Sequence, residues 1–477
     1  MIGKVYALGL VVLLSATCLT STASAQTSWW RNYGGIGDDG GESVQPTSDG
    51  GYVIAGWTWS FGAGDGDFYL VKTNARGDTL WTRTYGGTGY DLGYSVQQTT
   101  DGGYVIAGYA RSFGAGNGDV YLIKTNGSGD SLWTRTYGGT SEDRARSVQQ
   151  TADGGYIVAG HTYSFGAGSY DVYLIRTNAQ GDTLWTRTYG GTSVDQGYSV
   201  QQTADGGYVI AGYTFSYGAG NADVYLVKTD ASGDTLWTRT YGGASYDYVR
   251  SVQPTTDGGY IIAGNTESYG VGSRDVYLVK TDASGDTLWT RTCGGSSRDD
   301  GQSVQPTTDG GLIIAGHTES FGTGGSDVYL IKMNAQGDTL WARTYGDTND
   351  DYGNSVQPTT DGGYIIAGYT ESFGADSIDV CLIKTDSLGN VGIEEPLIRH
   401  RASPTGFRVQ PSPFSSFARV PGHETELFAL SDVTGRQVAI CRGDRVGEGL
   451  RPGVYFLSPA GSKAGKAATE TVIKAAF

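Results

Sequence analysis

Short apolar and alternating runs recur along this chain with a period of fifty-two residues, marked by Trp81, Trp133, Trp185, Trp237, Trp289 and Trp341 at even intervals. One copy, residues 199–241, reads SVQQTADGGYVIAGYTFSYGAGNADVYLVKTDASGDTLWTRTY. Its turn residues divide it into four predicted strands, SVQQT, YVIAGYT, DVYLVKT and TLWTRTY, rich in Val, Ile, Tyr, Thr and Trp. Asp205-Gly206-Gly207 joins the first two and Ser232-Gly233-Asp234 the last two, with Gly supplying the positive φ of a tight hairpin. Apolar residues on both faces suit a sheet held between two others, and no segment carries a helical period.

A unit of this length with four short strands is the pattern of a propeller blade. Asp-Gly-Gly turns at Asp49, Asp101, Asp153, Asp205, Asp257, Asp309 and Asp361 count seven blades. Residues 28–33 (SWWRNY) match the fourth strand but precede the first hairpin, while the last copy ends after Leu382-Ile383-Lys384-Thr385 with no Trp strand. The N-terminal segment is therefore expected to complete the seventh blade and remove the open edges of the array. The fold class is all-β: a seven-bladed propeller over residues 26–390, a linker over 391–406 and a small Ig-like β-sandwich over 407–477.

The two tight turns barely vary between copies, whereas the connections into the first strand and between the second and third strands do. Strands alternate in direction, so both variable connections emerge on one face, where binding residues are expected. The non-repeated aromatics there are Trp57, Trp59, Tyr90, Tyr94, Tyr163, Tyr170, Tyr198, Phe215, Tyr246, Tyr248 and Tyr352, interleaved with Asp, Glu and Arg. That mixture suits a glycan, with rings against apolar sugar faces and polar groups on hydroxyls, or the surface of another protein. The plainer alternative is that these rings pack between blades.

Each copy carries an Asp before the first strand (Asp39, Asp91, Asp143, Asp195, Asp247, Asp299, Asp351) and another opening the third (Asp67, Asp119, Asp171, Asp223, Asp275, Asp327, Asp379). Carboxylates are the donors Ca²⁺ takes. A short Asp in a Gly-rich loop also binds its own backbone amides, and one per blade is the spacing of a folding device; the structural reading is the expectation, with no metal and no cofactor. Catalysis needs a constellation placed once, and none is evident; a glycan-active hydrolase with Asp38, Asp39, Glu142 or Asp350 as acid or base is the alternative, and a purely structural surface-layer component is a third. His161 and His317 occupy equivalent positions in blades three and six and read as ordinary polar residues; His400 and His423 lie outside the propeller. Arg83, Arg135, Arg187, Arg239, Arg291 and Arg343 recur in the fourth strand as structural partners for carboxylates. The Phe-Gly-Ala-Gly loops lack the following helix of a phosphate cradle.

Residues 1–25 hold one Lys, an apolar run and an Ala23-Ser24-Ala25 end, the layout of a cleavable signal peptide. No later stretch is long and apolar enough to cross a bilayer as a helix. Cys293, Cys381 and Cys441 are too few and too scattered for a disulfide framework or a metal site, and two replace a repeat Tyr. A net charge of −16 argues against nucleic acid or an anionic membrane as partner.

Beyond the array, Val409-Gln410-Pro411-Ser412-Pro413-Phe414, then LSDVTGRQV from Leu430, LRPGVYFL from Leu450 and Thr471-Val472-Ile473-Lys474 resemble the C-terminal sorting domain of type IX secretion cargo, a small β-sandwich. The resemblance implies the secretion machinery as a partner. The blade itself, with Gly-Tyr-Val-Ile-Ala-Gly, Ser-Phe-Gly-Ala-Gly and Asp-Val-Tyr-Leu-Ile-Lys-Thr, is similar to bacterial β-propeller repeats of secreted proteins, a family without catalytic residues to carry over. The expectation is a secreted or cell-surface, monomeric, non-catalytic binding module.

Overall fold

A computed structural model describes residues 28–374, 377–392, 427–431, 437–442, 445, 453–459 and 470–474. The signal segment at 1–25, residues 393–406 of the linker and the first sorting-like motif at 409–414 lie outside the described residues. The chain is a β-propeller repeat protein of seven four-stranded antiparallel blades. Blade 1 is Asp39–Pro46, Tyr52–Thr58, Asp67–Thr73 and Thr79–Tyr85, paired in that order, and the pattern repeats around the ring. Among the described residues no helix is long and apolar enough to cross a membrane.

The closing strand is where the repeat pattern places it. Trp29–Tyr33 pairs antiparallel with Asp379–Thr385, with Trp29 opposite Lys384 and Tyr33 opposite Val380, and completes blade 7. The seam is bonded like the other seams. A Tyr at the end of six of the seven fourth strands donates its hydroxyl to a Gly carbonyl in the next blade's outer turn, as Tyr137 does to Gly181 at 2.6 Å, and Tyr33 does the same to Gly77 at 2.7 Å. On the inner side, Val96 N donates to Ser43 Oγ at 3.3 Å, and this bond recurs blade by blade until Val44 N reaches Ser355 Oγ at 3.2 Å across the closure. One seam lacks the outer link, because Cys293 stands where the other copies have Tyr.

The core lies between blades. In the second strand of blade 2, Tyr104 and Ile106 pack with Phe68 and Leu70 of blade 1, whereas Val105 and Ala107 pack with Tyr156 and Val158 of blade 3. Period-two alternation thus feeds two interfaces at once, so both faces are apolar. This two-sided burial holds for the middle strands only. The fourth strand at the rim is half exposed, with Leu236 at 58%, because the blades splay outward from the channel.

The Asp-Gly-Gly turns do more than reverse the chain. Gly50 has φ +81, closing a type I turn with a bulge in which Gly50 N donates to Thr47 O and Thr47 N to Gly51 O. A Cβ on Gly51 would sit 2.0 Å from Thr73 O, so the second Gly is required by close approach. The Asp itself receives the buried Lys of the third strand: Lys72 Nζ lies 2.8 Å from Asp49 Oδ2 and also donates to Thr73 O. The recurring Arg bridge blades as expected, Arg83 Nη2 lying 3.2 Å from Asp130 while its guanidinium stacks on Trp81.

Described by itself, the second unit contributes one antiparallel four-stranded sheet, with Gln437–Arg442, Leu427–Ser431, Gly453–Pro459 and Glu470–Lys474 in that order. Phe428 and Leu430 are buried.

Candidate functional site

The first strand of every blade starts four residues earlier than its sequence suggests, at the Asp, and carries a β-bulge just before the repeated Ser. The bulged residue is unpaired and re-aimed. It is also the one that changes from blade to blade: Glu42, Tyr94, Arg146, Tyr198, Arg250, Gln302 and Asn354. All seven line the central channel, where they enclose a cavity of about 240 Å³ above invariant rings of Ser and Gln. The Ser ring is occupied by the interblade bonds already described. The bulge ring is the place where the channel differs from sevenfold symmetry.

Its electrostatics are set by two arginines. The Arg146 guanidinium lies 4.2 Å from the Tyr94 ring centre and 5.3 Å from that of Tyr198, and Arg250 lies 4.5 Å from Tyr198. Such cation–π contacts orient a guanidinium without neutralising it. Nε of both Arg146 and Arg250 is buried without a hydrogen-bond partner, and among the described residues neither guanidinium forms an ion pair. Burial opposes ionisation of the Tyr198 phenol, yet Arg250 and Arg146 outweigh it and bring Tyr198 below its usual range. Burial pushes the Glu42 carboxyl up, against the opposing pull of Trp57, Arg146 and Arg250. Glu42 accepts from Trp57 Nε1 at 3.1 Å.

Outside this ring lies a second set of variable positions, formed by cross-strand pairs of the first and second strands: Gly40 with Trp57, Arg144 with His161, Asp300 with His317 and Tyr352 with Tyr369. The two loops that carry the rim are laced by backbone bonds such as Trp59 N to Asp38 O and Tyr163 N to Glu142 O, both 2.8 Å. Rigid loops on one face are the expected geometry, and here they hold Trp59, Tyr163 and Phe215, which are 48%, 52% and 39% exposed.

The eleven aromatics predicted for this face therefore separate by depth. Tyr94 and Tyr198 belong to the channel wall rather than to loops. Trp57 lies within the second strand, and Tyr248 and Tyr352 within first strands, which begin at the Asp; all three are half buried. Neighbours gather across blades: Trp57, Trp59 and Tyr90 form one group, Tyr163 and Tyr170 a second, and Phe215, Tyr246 and Tyr248 a third, joined by Tyr213. Tyr352 stacks on Tyr369 at 4.6 Å. Tyr163 and Tyr170 also border a groove of about 580 Å³ with Arg111 and Glu142. Many of these rings thus pack between blades while presenting one edge outward.

The aspartate rings are loop pegs. Asp143 accepts from the Thr162 hydroxyl, from Ser164 Oγ at 2.7 Å and from Gly139 N at 2.8 Å; Asp171 accepts from Ala167 N and Gly168 N. The rings meet at each blade boundary, so burial and then the nearby Asp91 push the Asp67 carboxyl up. Among the described residues no group of three or more His, Cys, Asp or Glu is arranged to hold a metal. Cys293, Cys381 and Cys441 are free thiols.

Both histidines are buried and singular, which equivalence in sequence did not convey. Burial, and then Arg146 and Arg144, push His161 well below its usual value, leaving it neutral. His317 Nε2 lies 2.9 Å from Asp300 Oδ2, whose carboxyl also meets Arg298 and Arg274. Burial works against that charge, but His317, Arg298 and Arg274 bring Asp300 down to about 2. Sequence reasoning missed Glu42, Arg146, Arg250, Asp300, Gln302 and Asn354. The available signal was their position: each breaks the repeat inside a strand, where the neighbouring letters stay fixed.

Comparison with known proteins gives partial matches, one of them to a β-propeller domain. The family model described as outer membrane protein assembly factor BamB matches residues 220–395, and that of a β-propeller domain of unknown function matches residues 151–183. The regulatory protein FlaEY of Caulobacter vibrioides is 26% identical over 245 residues, covering 46% of this chain and 25% of that protein; the chain thus spans about a quarter of that relative. Among solved structures, PorZ of Porphyromonas gingivalis, described as an essential bacterial surface component of the type-IX secretion system, aligns with a TM-score of 0.40 and 11% identity over 90% of this chain and 58% of its own. YCF48 bound to D1 peptide aligns with a TM-score of 0.44 and 9% identity over 75% and 94%.

Proposed function

We propose that the protein is a secreted or cell-surface binding module without catalytic activity, which takes a glycan on its variable face. The carrying observation is the segregation of variation: the outer turns barely vary between blades, whereas the opposite face combines exposed rings with a channel mouth whose seven positions hold five residue types. Rigid, largely preformed loops hold these groups at low entropic cost to binding. The signal segment at 1–25 and the sorting-like motifs of the C-terminal unit support placement outside the cell.

The carboxylates that a hydrolase would use are committed elsewhere. Asp39 is fully buried and fixes its loop, accepting from Gly35 N and Ser60 Oγ. Glu142 binds Arg144 at 3.0 Å and Tyr170 at 3.1 Å; Asp350 accepts from Ser326 N at 2.7 Å; Asp38 accepts from Ile378 N at 3.3 Å. An acid held in an ion pair, as Glu142 is, is poorly placed to give up or take a proton at neutral pH, which supports the non-catalytic reading.

The test is a glycan and polysaccharide array probed with the full chain beside Trp59→Ala, Tyr163→Ala and Phe215→Ala. These rings are exposed, so their truncation tests binding with little effect on folding. Loss of a bound glycan by tenfold or more in at least one variant is the expected result. Undiminished binding in all three would move the site off this face, and hydrolysis of the bound glycan would restore the enzyme reading.

A further inference from the structure

We propose that the channel mouth is a receptor for a carboxylate borne on a sugar, with Arg146 and Arg250 as the anion-binding pair. This rests on the glycan reading above and names the chemical class of the glycan, an acidic one.

The first support is charge. A chain of net charge −16 repels anions over most of its surface. Against that background two guanidiniums from blades 3 and 5 flank one tyrosine ring of blade 4, neither in an ion pair among the described residues and both with a buried Nε left without an acceptor, although Arg250 also hydrogen-bonds the Tyr198 hydroxyl. A buried guanidinium nitrogen without an acceptor is costly. A planar two-oxygen acceptor matches the guanidinium fork and supplies what is missing. Glu42 acts on both arginines from the same ring, but it is held by Trp57 and, among the described residues, makes no ion pair with either, so it competes with an external anion without replacing one.

The second support is size and polarity. The cavity of about 240 Å³ is many times the ~10–15 Å³ that one water needs, enough for a small ligand such as a sugar unit and too little for a folded chain. Its wall offers Gln302, Asn354 and the Gln ring, amides suited to hydroxyls. Third, the mouth is continuous with the rim. Glu42 touches Trp57, which packs on exposed Trp59 at 5.8 Å; Tyr198 packs on Tyr213, which packs on exposed Phe215 at 5.9 Å. An acidic terminal sugar in the mouth would leave its neutral neighbours against the same rings that the proposed function employs.

The test uses the full chain in calorimetric titrations with trigalacturonate and with its fully methyl-esterified form, which keeps the sugar and removes the charge. Wild type is expected to bind the acid at least tenfold more tightly than the ester. Arg146→Gln and Arg250→Gln should each weaken the acid at least fivefold and leave the ester unchanged; Arg146→Lys and Arg250→Lys, which keep charge but lose the fork, should fall between, and Glu42→Gln should tighten the acid. Melting curves establish that each variant is folded, and if a Gln variant is not, its Lys counterpart carries the comparison. Equal affinity for acid and ester, insensitivity to the arginine changes, or no binding of the acid at millimolar concentration overturns the proposal. Neutral glycans still bound on the array and lost in Trp59→Ala would overturn it alone; an array without any bound glycan would overturn the glycan reading with it.

Discussion

At the scale of single residues, near identity between copies turns each departure into an internal experiment. Six fourth strands end in a Tyr whose hydroxyl crosses to the next blade, from Tyr33 to Gly77, Tyr85 to Gly129 and on to Tyr345 and Gly389. The seventh position is Cys293, a half-buried thiol that burial pushes up to about 11 and that reaches no such carbonyl. Cys293→Tyr is expected to restore the link to the turn at Gly337 and to raise stability by about 1 kcal/mol, the usual net worth of one such bond. The measurement is the urea midpoint beside a Cys293→Ser control. A loss of stability on introducing Tyr would show that the seam has closed around the smaller side chain. Similar reasoning separates the conserved Ser of the first strand, spent on interblade bonds, from the bulge residue before it, which no repeat constraint holds.

At the scale of elements, the closing strand was legible because its pattern, Trp-x-Arg-x-Tyr over residues 29–33, is a fourth strand out of place. Trp29 buries its ring against Tyr52 of blade 1 and Arg31 stacks on it as every other Arg does on its Trp. Deletion of residues 28–33 should therefore lower the melting temperature markedly, since truncating one buried aromatic of this size costs ~3–5 kcal/mol; an unchanged melt would mean that the ring does not depend on closure. The start of the first strand was not legible. Asp-x-Gly-x-Ser offers no alternation, its Gly imitates a loop, and a bulge adds the one residue that destroys period two. That single ambiguity moved Tyr94 and Tyr198 from channel to loop and hid Arg146 and Arg250. The depth of Tyr352 was lost for the same reason; Trp57 lies inside the second strand that the pattern already marked, and its half-burial comes from packing on Trp59 and Tyr369, which no local pattern shows, whereas Trp59, Tyr163 and Phe215 lie beyond the second strand and are exposed.

At the scale of the whole molecule, two repeated carboxylate sets give the propeller opposed responses to pH. In the outer turns, burial opposes the charge of Asp49, Asp101, Asp205, Asp257 and Asp309, but the paired Lys, a Thr hydroxyl and a turn amide bring each to about 2. A folded-state value below the unfolded one, ~3.9 for Asp, contributes stability that is present above pH ~4 and lost as the pH falls toward 2. On the inner face, burial first and the adjoining Asp second push Asp67, Asp119, Asp171, Asp223, Asp275 and Asp327 up. For these the folded state holds the proton more tightly than the unfolded chain, so their charge is a cost at neutral pH that is relieved as the pH falls through the raised values. Acidification also reduces the self-repulsion of a chain with net charge −16 and pI near 4.6. Stability should thus rise as the pH falls from 7 toward the isoelectric point near 4.6, pass through a maximum and fall as the pH drops on toward 2. Melting temperatures measured from pH 3 to pH 8 in dilute solution decide the matter: a steady decline from pH 7 downward would mean that the inner pairs carry no strain, and a flat acid limb would mean that the six Lys-to-turn contacts and their Arg176 counterpart in blade 3 add nothing to the fold.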